Sequence, residues 1–162
     1  MTPRKPSLTH VRSDGSAQMV DVSGKEPTLR TARAQGLIRM SSAACEAIRS
    51  NQVAKGDVLS VARVAGIMAA KRTSDLVPLC HPIALDQAQV DLTADPDLPG
   101  VRAVALARTT GRTGVEMEAL VAVTVALVTV YDMVKSLDRS MTIGDISLIE
   151  KTGGQSGSHF AG

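Results

Sequence analysis

Between Glu118 and Asp132 the chain runs for 13 residues without a charge, Ala119–Tyr131, broken only by Thr124 and Thr129. A membrane span needs about 20 apolar residues, so this stretch is expected to be the centre of a buried helix in a soluble protein. The helix is predicted over Thr113–Leu137, with Thr113-Gly114-Val115-Glu116 as its capping box. Val115, Met117, Leu120, Val121, Val123, Val125, Leu127, Val128, Val130, Met133 and Val134 leave no polar side around its axis. A sheet covers one side of a helix. In a chain of 162 residues, the size of one domain, the other side calls for a partner chain. The expectation is an obligate homo-oligomer.

The remaining pattern supplies the sheet. Residues 1–18 are polar and turn-rich, with Ser13-Asp14-Gly15 as a turn, and read as a mobile N-terminal arm. Met19–Ser23 alternates briefly and predicts a short strand. Thr28–Met40 predicts a strand, and Ser41–Ser50 a short helix capped by Ser41 or Ser42. After the turn at Lys55-Gly56-Asp57, Asp57 caps a helix over Val58–Thr73, where Gly66 and many alanines predict a closely packed neighbour. Pro82–Ala94 contains a strand, Asp95–Gly100 a hairpin loop, Val101–Thr109 the return strand, and Asp145–Glu150 a last strand. Residues 153–162 read as a flexible Gly-rich tail, leaving 19–152 as a single α+β domain. The order predicts an α+β fold: a ferredoxin-like split β-α-β sandwich, its sheet mostly antiparallel with helices on one face.

Composition removes several function classes. A net charge of +2 is too small for nucleic-acid binding by bulk electrostatics. Tyr131 and Phe160 are the only aromatic residues, so base-stacking platforms are excluded. Cys45 and Cys80 are too few for a disulfide scaffold or a Cys-rich zinc site, which favours a reducing compartment. Met1–Pro6 is polar with two prolines and lacks the apolar core of a signal peptide. The expected location is cytoplasmic.

Polar residues gather at three junctions. Lys55, just before a helix start, could hold a phosphate beside free N–H groups, but without a Walker motif its spacing favours a solvated loop lysine next to an ordinary Asp cap. Cys80 and His81 are adjacent and lack the CxxC or HxxxH spacing of a tetrahedral metal site. His81 suits substrate hydrogen bonding or acid–base work, whereas Cys80 reads as a small buried residue. Glu116 and Glu118 fit the first turn of the long helix, and Asp132 and Lys135 an ion pair three residues apart near its end. Glu116 and Asp132 are 16 residues apart, roughly 24 Å along one helix axis. If both serve one small ligand, two chains must share the site, each giving opposite ends of this helix.

Taken in order, Leu8-Thr9-His10, Met19-Val20-Asp21-Val22-Ser23, Lys55-Gly56-Asp57-Val58, Ala65-Gly66-Ile67 with Ala69-Ala70-Lys71-Arg72-Thr73, Leu79-Cys80-His81-Pro82, Thr113-Gly114-Val115-Glu116-Met117-Glu118-Ala119-Leu120, Tyr131-Asp132-Met133 with Lys135, and Lys151-Thr152-Gly153-Gly154 with Ser156-Gly157 resemble the MoaC family, the cyclic pyranopterin monophosphate synthases of molybdenum-cofactor biosynthesis. The resemblance covers Leu8 to Gly157; the Met1–Ser7 extension and Arg12 depart from it. It implies a ferredoxin-like fold and homo-hexamers built as three dimers, with sites at the dimer interface. It also implies a nucleotide-derived substrate, 3′,8-cyclo-7,8-dihydroguanosine 5′-triphosphate, supplied by an upstream radical enzyme, and functional coupling to that enzyme. The implied reaction is that of a phosphorus–oxygen lyase. By matching motif, Asp132, Lys55 and Lys135 are the implied catalytic residues. Leu79, Cys80, His81, Glu116, Met117 and Glu118 are the implied substrate-binding residues, with Arg30, Arg72 and Lys151 as phosphate ligands. No cofactor is required, although magnesium could accompany the triphosphate. Without the resemblance, a nucleotide-sensing module on the same fold would remain open, since such folds host many functions.

Overall fold

The structure is a computed structural model that describes residues 11–12, 14–154 and 157–161. The Leu8-Thr9-His10 motif, most of the N-terminal arm, Ser13 of the expected turn, and Ser156 lie outside the described residues. The regular elements are β1 (Thr28–Arg39), α1 (Ser42–Arg49), α2 (Val58–Ala70), α3 (Thr73–Leu76), β2 (Gln87–Asp95), β3 (Gly100–Gly111), α4 (Glu116–Val134), β4 (Thr142–Thr152) and β5 (His159–Phe160). The strands form one sheet in the order β2-β3-β1-β4-β5, antiparallel at every pairing. This is the expected α+β, ferredoxin-like arrangement.

Small residues decide how closely α4 approaches the sheet. Alternate positions of β1 and β3 place Ala32, Ala34, Gly36, Ile38, Val101, Ala103, Ala105 and Ala107 in the core. A Cβ added at Gly36 would press on the side chains of Val123, Leu127 and Ile146, so this glycine lets α4 lie down on the central strand. A Cβ at Gly66 would meet the Ala122 carbonyl at 2.8 Å. The close neighbour expected at Gly66 is therefore α4 itself. Two packed helices and the sheet enclose Ala119, Ala122, Val123, Ala126, Leu127 and Val130, each at most 2% exposed. That burial accounts for the apolarity of half of α4, a helix whose length and composition alone would satisfy a membrane span.

Helix caps and breaks explain most boundaries. The Ser41 hydroxyl accepts the Ala44 amide and starts α1, and the Asp57 carboxylate accepts the Ser60 amide at 3.0 Å and starts α2. The helix expected over Val58–Thr73 stops at Ala70 because the chain turns there. The buried Thr73 hydroxyl donates back to the Ala70 carbonyl at 3.0 Å and begins the short α3. The expected capping box at Thr113 is absent. Val115 is the N-cap, without a side-chain bond, and Glu116 is the first helical residue instead of the third; Thr113 is out of register by two positions. Met19–Ser23 is not a strand either. Its backbone has no strand partner there, and the Val20 carbonyl goes to a side chain described below. The strand expected within Pro82–Ala94 begins only at Gln87. Ile83 and Leu85 pack on the core from a loop pinned by the Thr109 hydroxyl donating to the Ala84 carbonyl at 2.7 Å. Beyond Gly157, His159–Phe160 pairs with Glu150 and Lys151 of β4, a strand with no signal in the sequence.

Candidate active site

Two polar clusters lie at opposite ends of α4. The first is built on its C-terminal turn. Gly56, at φ +95°, turns the chain into α2 and leaves Lys55 facing α4. Lys55 Nζ donates to the Asp132 main-chain carbonyl at 2.8 Å and to Asp132 Oδ2 at 3.0 Å, while Lys135 Nζ donates to Asp132 Oδ1 at 2.7 Å. The expected helical pair Asp132–Lys135 is thus joined by a second ammonium from 77 residues away. These bonds, Lys135 first and then Lys55, hold the Asp132 carboxyl down at about 2. Lys55, Tyr131, Lys135, Ser136 and Arg139 line a cleft of about 290 Å³ beside it. Ser136 and Arg139 follow α4 without any spacing that would have marked them in the sequence.

All three charged groups stand about half exposed, so their contribution is chemical more than structural. Asp132 is an anion throughout the neutral range. Because its folded value is depressed, the small stabilisation it gives is complete above the unfolded carboxylate value and is lost as pH falls toward 2. Removing Lys135 takes away the largest cause. Lys135→Ala is expected to raise the Asp132 carboxyl toward its ordinary 3.8, read as an upward shift of the Asp132 side-chain carbon titration by NMR. An unmoved midpoint would show that Lys135 does not set it.

The second cluster surrounds the start of α4. A cavity of about 580 Å³ is lined by Leu79, Cys80, His81, Glu116, Met117, Glu118 and Lys151 together with Val20, Val22, Lys25, Ile83, Thr113 and Gly114. Seven of the expected binding residues meet here. Lys25 has no signal in the sequence, because it lies in an irregular segment with no periodicity. Lys151 Nζ, from β4, donates to Glu116 Oε1 at 3.0 Å. Glu116 is therefore committed to a cation and not to a cap. Glu118 is only 3% exposed, and burial pushes its carboxyl up, with the Glu116 charge adding to the shift. A buried carboxyl whose proton affinity is raised suits a proton donor. Burial, and secondarily Glu118, pushes the Cys80 thiol up, which suits a packed thiol and not a nucleophile. Cys45 is buried in the core, within 3.6 Å of the Asp95 and Gly100 carbonyls.

Arg30 stands next to this cavity. Its Nε donates to the Gly111 carbonyl at 2.9 Å, and it lines a crevice with Glu116, Lys151 and Gly153. Gly153 and Gly154 have φ of +89° and +77°, and a Cβ at Gly154 would collide with the Arg30 guanidinium. The double glycine lets the chain fold tightly over Arg30. Arg72 is exposed at the start of α3 and does not line the cavity. Among the described residues, no group of three or more His, Cys, Asp or Glu side chains could hold a metal ion.

The model of the MoaC family matches residues 19–154. A protein of Methylobacterium nodulans named cyclic pyranopterin monophosphate synthase is 57% identical over 156 residues, covering 96% of this chain and 98% of that protein. Proteins of the same name from Novosphingobium aromaticivorans and a Nostoc species are 59% and 53% identical, over 93% and 95% of this chain and 94% and 92% of their own lengths. With most of its length matched by the family model and by relatives well above half identity, this chain belongs to the MoaC family.

Proposed function

We propose that this chain is a cyclic pyranopterin monophosphate synthase. It converts 3′,8-cyclo-7,8-dihydroguanosine 5′-triphosphate to cyclic pyranopterin monophosphate with release of pyrophosphate, in molybdenum-cofactor biosynthesis. The observation that carries this reading is the Asp132 carboxylate held between two ammonium groups, in a chain of the MoaC family.

The chemistry asks for such a group. The five-membered ring of the purine must open and its atoms reclose as a pterin, which requires several proton transfers. A ribose hydroxyl must then form a P–O bond to the α-phosphorus, its proton passing to a base, as the bond to pyrophosphate breaks. An anionic Asp132 can accept a proton, and Lys55, bonded to it, can return one. Lys135 supports the developing phosphate charge and keeps Asp132 ionised. The cavity at the other end of α4 takes the guanine-derived ring. Leu79, Cys80, His81 and Met117 form its walls, and Glu116 and Glu118 meet its N–H and carbonyl groups. Arg30, Arg72 and Lys151 are assigned to the triphosphate. Magnesium, where present, arrives with the triphosphate.

One chain separates these parts by roughly 24 Å of helix. The site is accordingly assigned to a dimer interface within a homo-hexamer of three dimers. Val61, Val64, Met68 and Val128 expose apolar side chains along α2 and α4, a surface that supports association. A cytoplasmic location and functional coupling to the upstream radical enzyme accompany the proposal; nucleic-acid and membrane partners do not. Incubating the protein with the cyclised dihydro-GTP should yield pyrophosphate and the pterin product by chromatography, and Lys55→Ala should abolish both. No turnover from a folded oligomer would overturn the assignment.

A further inference from the structure

The segment between Ala17 and β1 has no helix or strand, yet it forms one wall of the cavity at the start of α4 through Val20, Val22 and Lys25. Its internal bonds are short-range: the Ser23 amide to Asp21 Oδ1 at 2.9 Å and the Lys25 amide to the Val22 carbonyl at 3.1 Å. Such bonds shape a turn but do not dock it. Among the described residues, the hydrogen bond that ties it to a distant element is that of His81, whose Nε2 lies 2.7 Å from the Val20 carbonyl, 61 residues away in sequence. A carbonyl only accepts, so Nε2 must carry the hydrogen.

We propose that His81 is a positioning residue that latches the Val20–Lys25 strap over the cavity and thereby brings Lys25 into the substrate pocket. The inference deepens the proposed function, because it divides the imidazole's work: Nε2 is committed to the strap and Nδ1 alone is left for other partners. An unlatched strap would carry the Lys25 ammonium out of the pocket, and the cavity would lose a wall as well as a charge. The strap has no ladder of its own, so one side-chain bond has a large share in holding it.

Two measurements on the ligand-free protein test the latch without reference to turnover. Above the titration range of histidine, nitrogen chemical shifts should report the Nε2–H tautomer for His81 in the unsubstituted chain. The Nδ1–H tautomer would overturn the proposal, since Nε2 would then have no hydrogen to donate. Amide hydrogen exchange should rise roughly fivefold to tenfold across Val20–Lys25 in His81→Ala, the factor that one neutral hydrogen bond commands, with α4 unchanged. His81→Gln, whose amide N–H can reach the same carbonyl, should restore much of the protection. Unchanged exchange in His81→Ala would also overturn it. With substrate, His81→Ala should raise KM more than it lowers kcat. Failure of the synthase assignment would remove this last readout and leave the first two intact.

Discussion

Asp132→Asn is expected to leave a folded protein that still binds the cyclised dihydro-GTP but releases pyrophosphate at least about a hundredfold more slowly. The amide has the shape of the carboxylate and its one oxygen still accepts from a lysine, while Lys55 keeps the main-chain carbonyl of residue 132 as acceptor, so the backbone geometry at the end of α4 is kept. What it lacks is the negative charge that makes Asp132 a proton acceptor and that offsets two ammonium groups within 3.0 Å. The residue is exposed at the end of its helix, so the thermal midpoint should change little, by the amount typical of surface substitutions. The loss should fall on kcat, because the cavity proposed to take the ring lies at the far end of α4 and is untouched. An Asp132→Asn protein turning over at the unsubstituted rate would remove Asp132 from the chemistry. A wild-type chain that binds without turnover would instead favour a nucleotide-sensing module.

The parts of this molecule governed by period and composition were legible in the sequence. The apolar run of α4, the caps at Ser41 and Asp57, and the Asp95–Gly100 turn each depend on neighbours within a few residues. Two of the misreadings share one cause, which is competition from distant groups. Thr113 and Glu116 have the spacing of a capping box, but Lys151, 35 residues on, takes the Glu116 carboxylate. Val20 and Val22 alternate like a strand, but His81 takes the Val20 carbonyl. The same holds for the site. The spacing of Asp132 and Lys135 suggested an ordinary ion pair, and only the fold shows Lys55 completing it. Lys25, Ser136 and Arg139 carry no local pattern at all, so their places beside the two clefts became visible only with the chain folded.

Mixing two inactive variants should recover activity if partner chains share each site. Asp132→Asn damages the cluster at the end of α4, and Glu116→Gln breaks the Lys151 pair at its start. When two chains pair about a two-fold axis, each site takes the Asp132 end from one chain and the Glu116 end from the other. In a mixed dimer both lesions then fall in one site and the second site is intact. Equal amounts unfolded and reassembled together give mixed dimers half the time, each with one working site of two, so about a quarter of the unsubstituted activity should return. Each variant reassembled alone should stay inactive. If one chain supplied the whole site, every site in the mixture would carry one lesion and no activity would return. The roughly 24 Å of helix between Glu116 and Asp132 is what makes the first outcome the expected one: the distance is fixed by 16 residues of hydrogen-bonded backbone that cannot fold back on itself to bring both ends to one ligand.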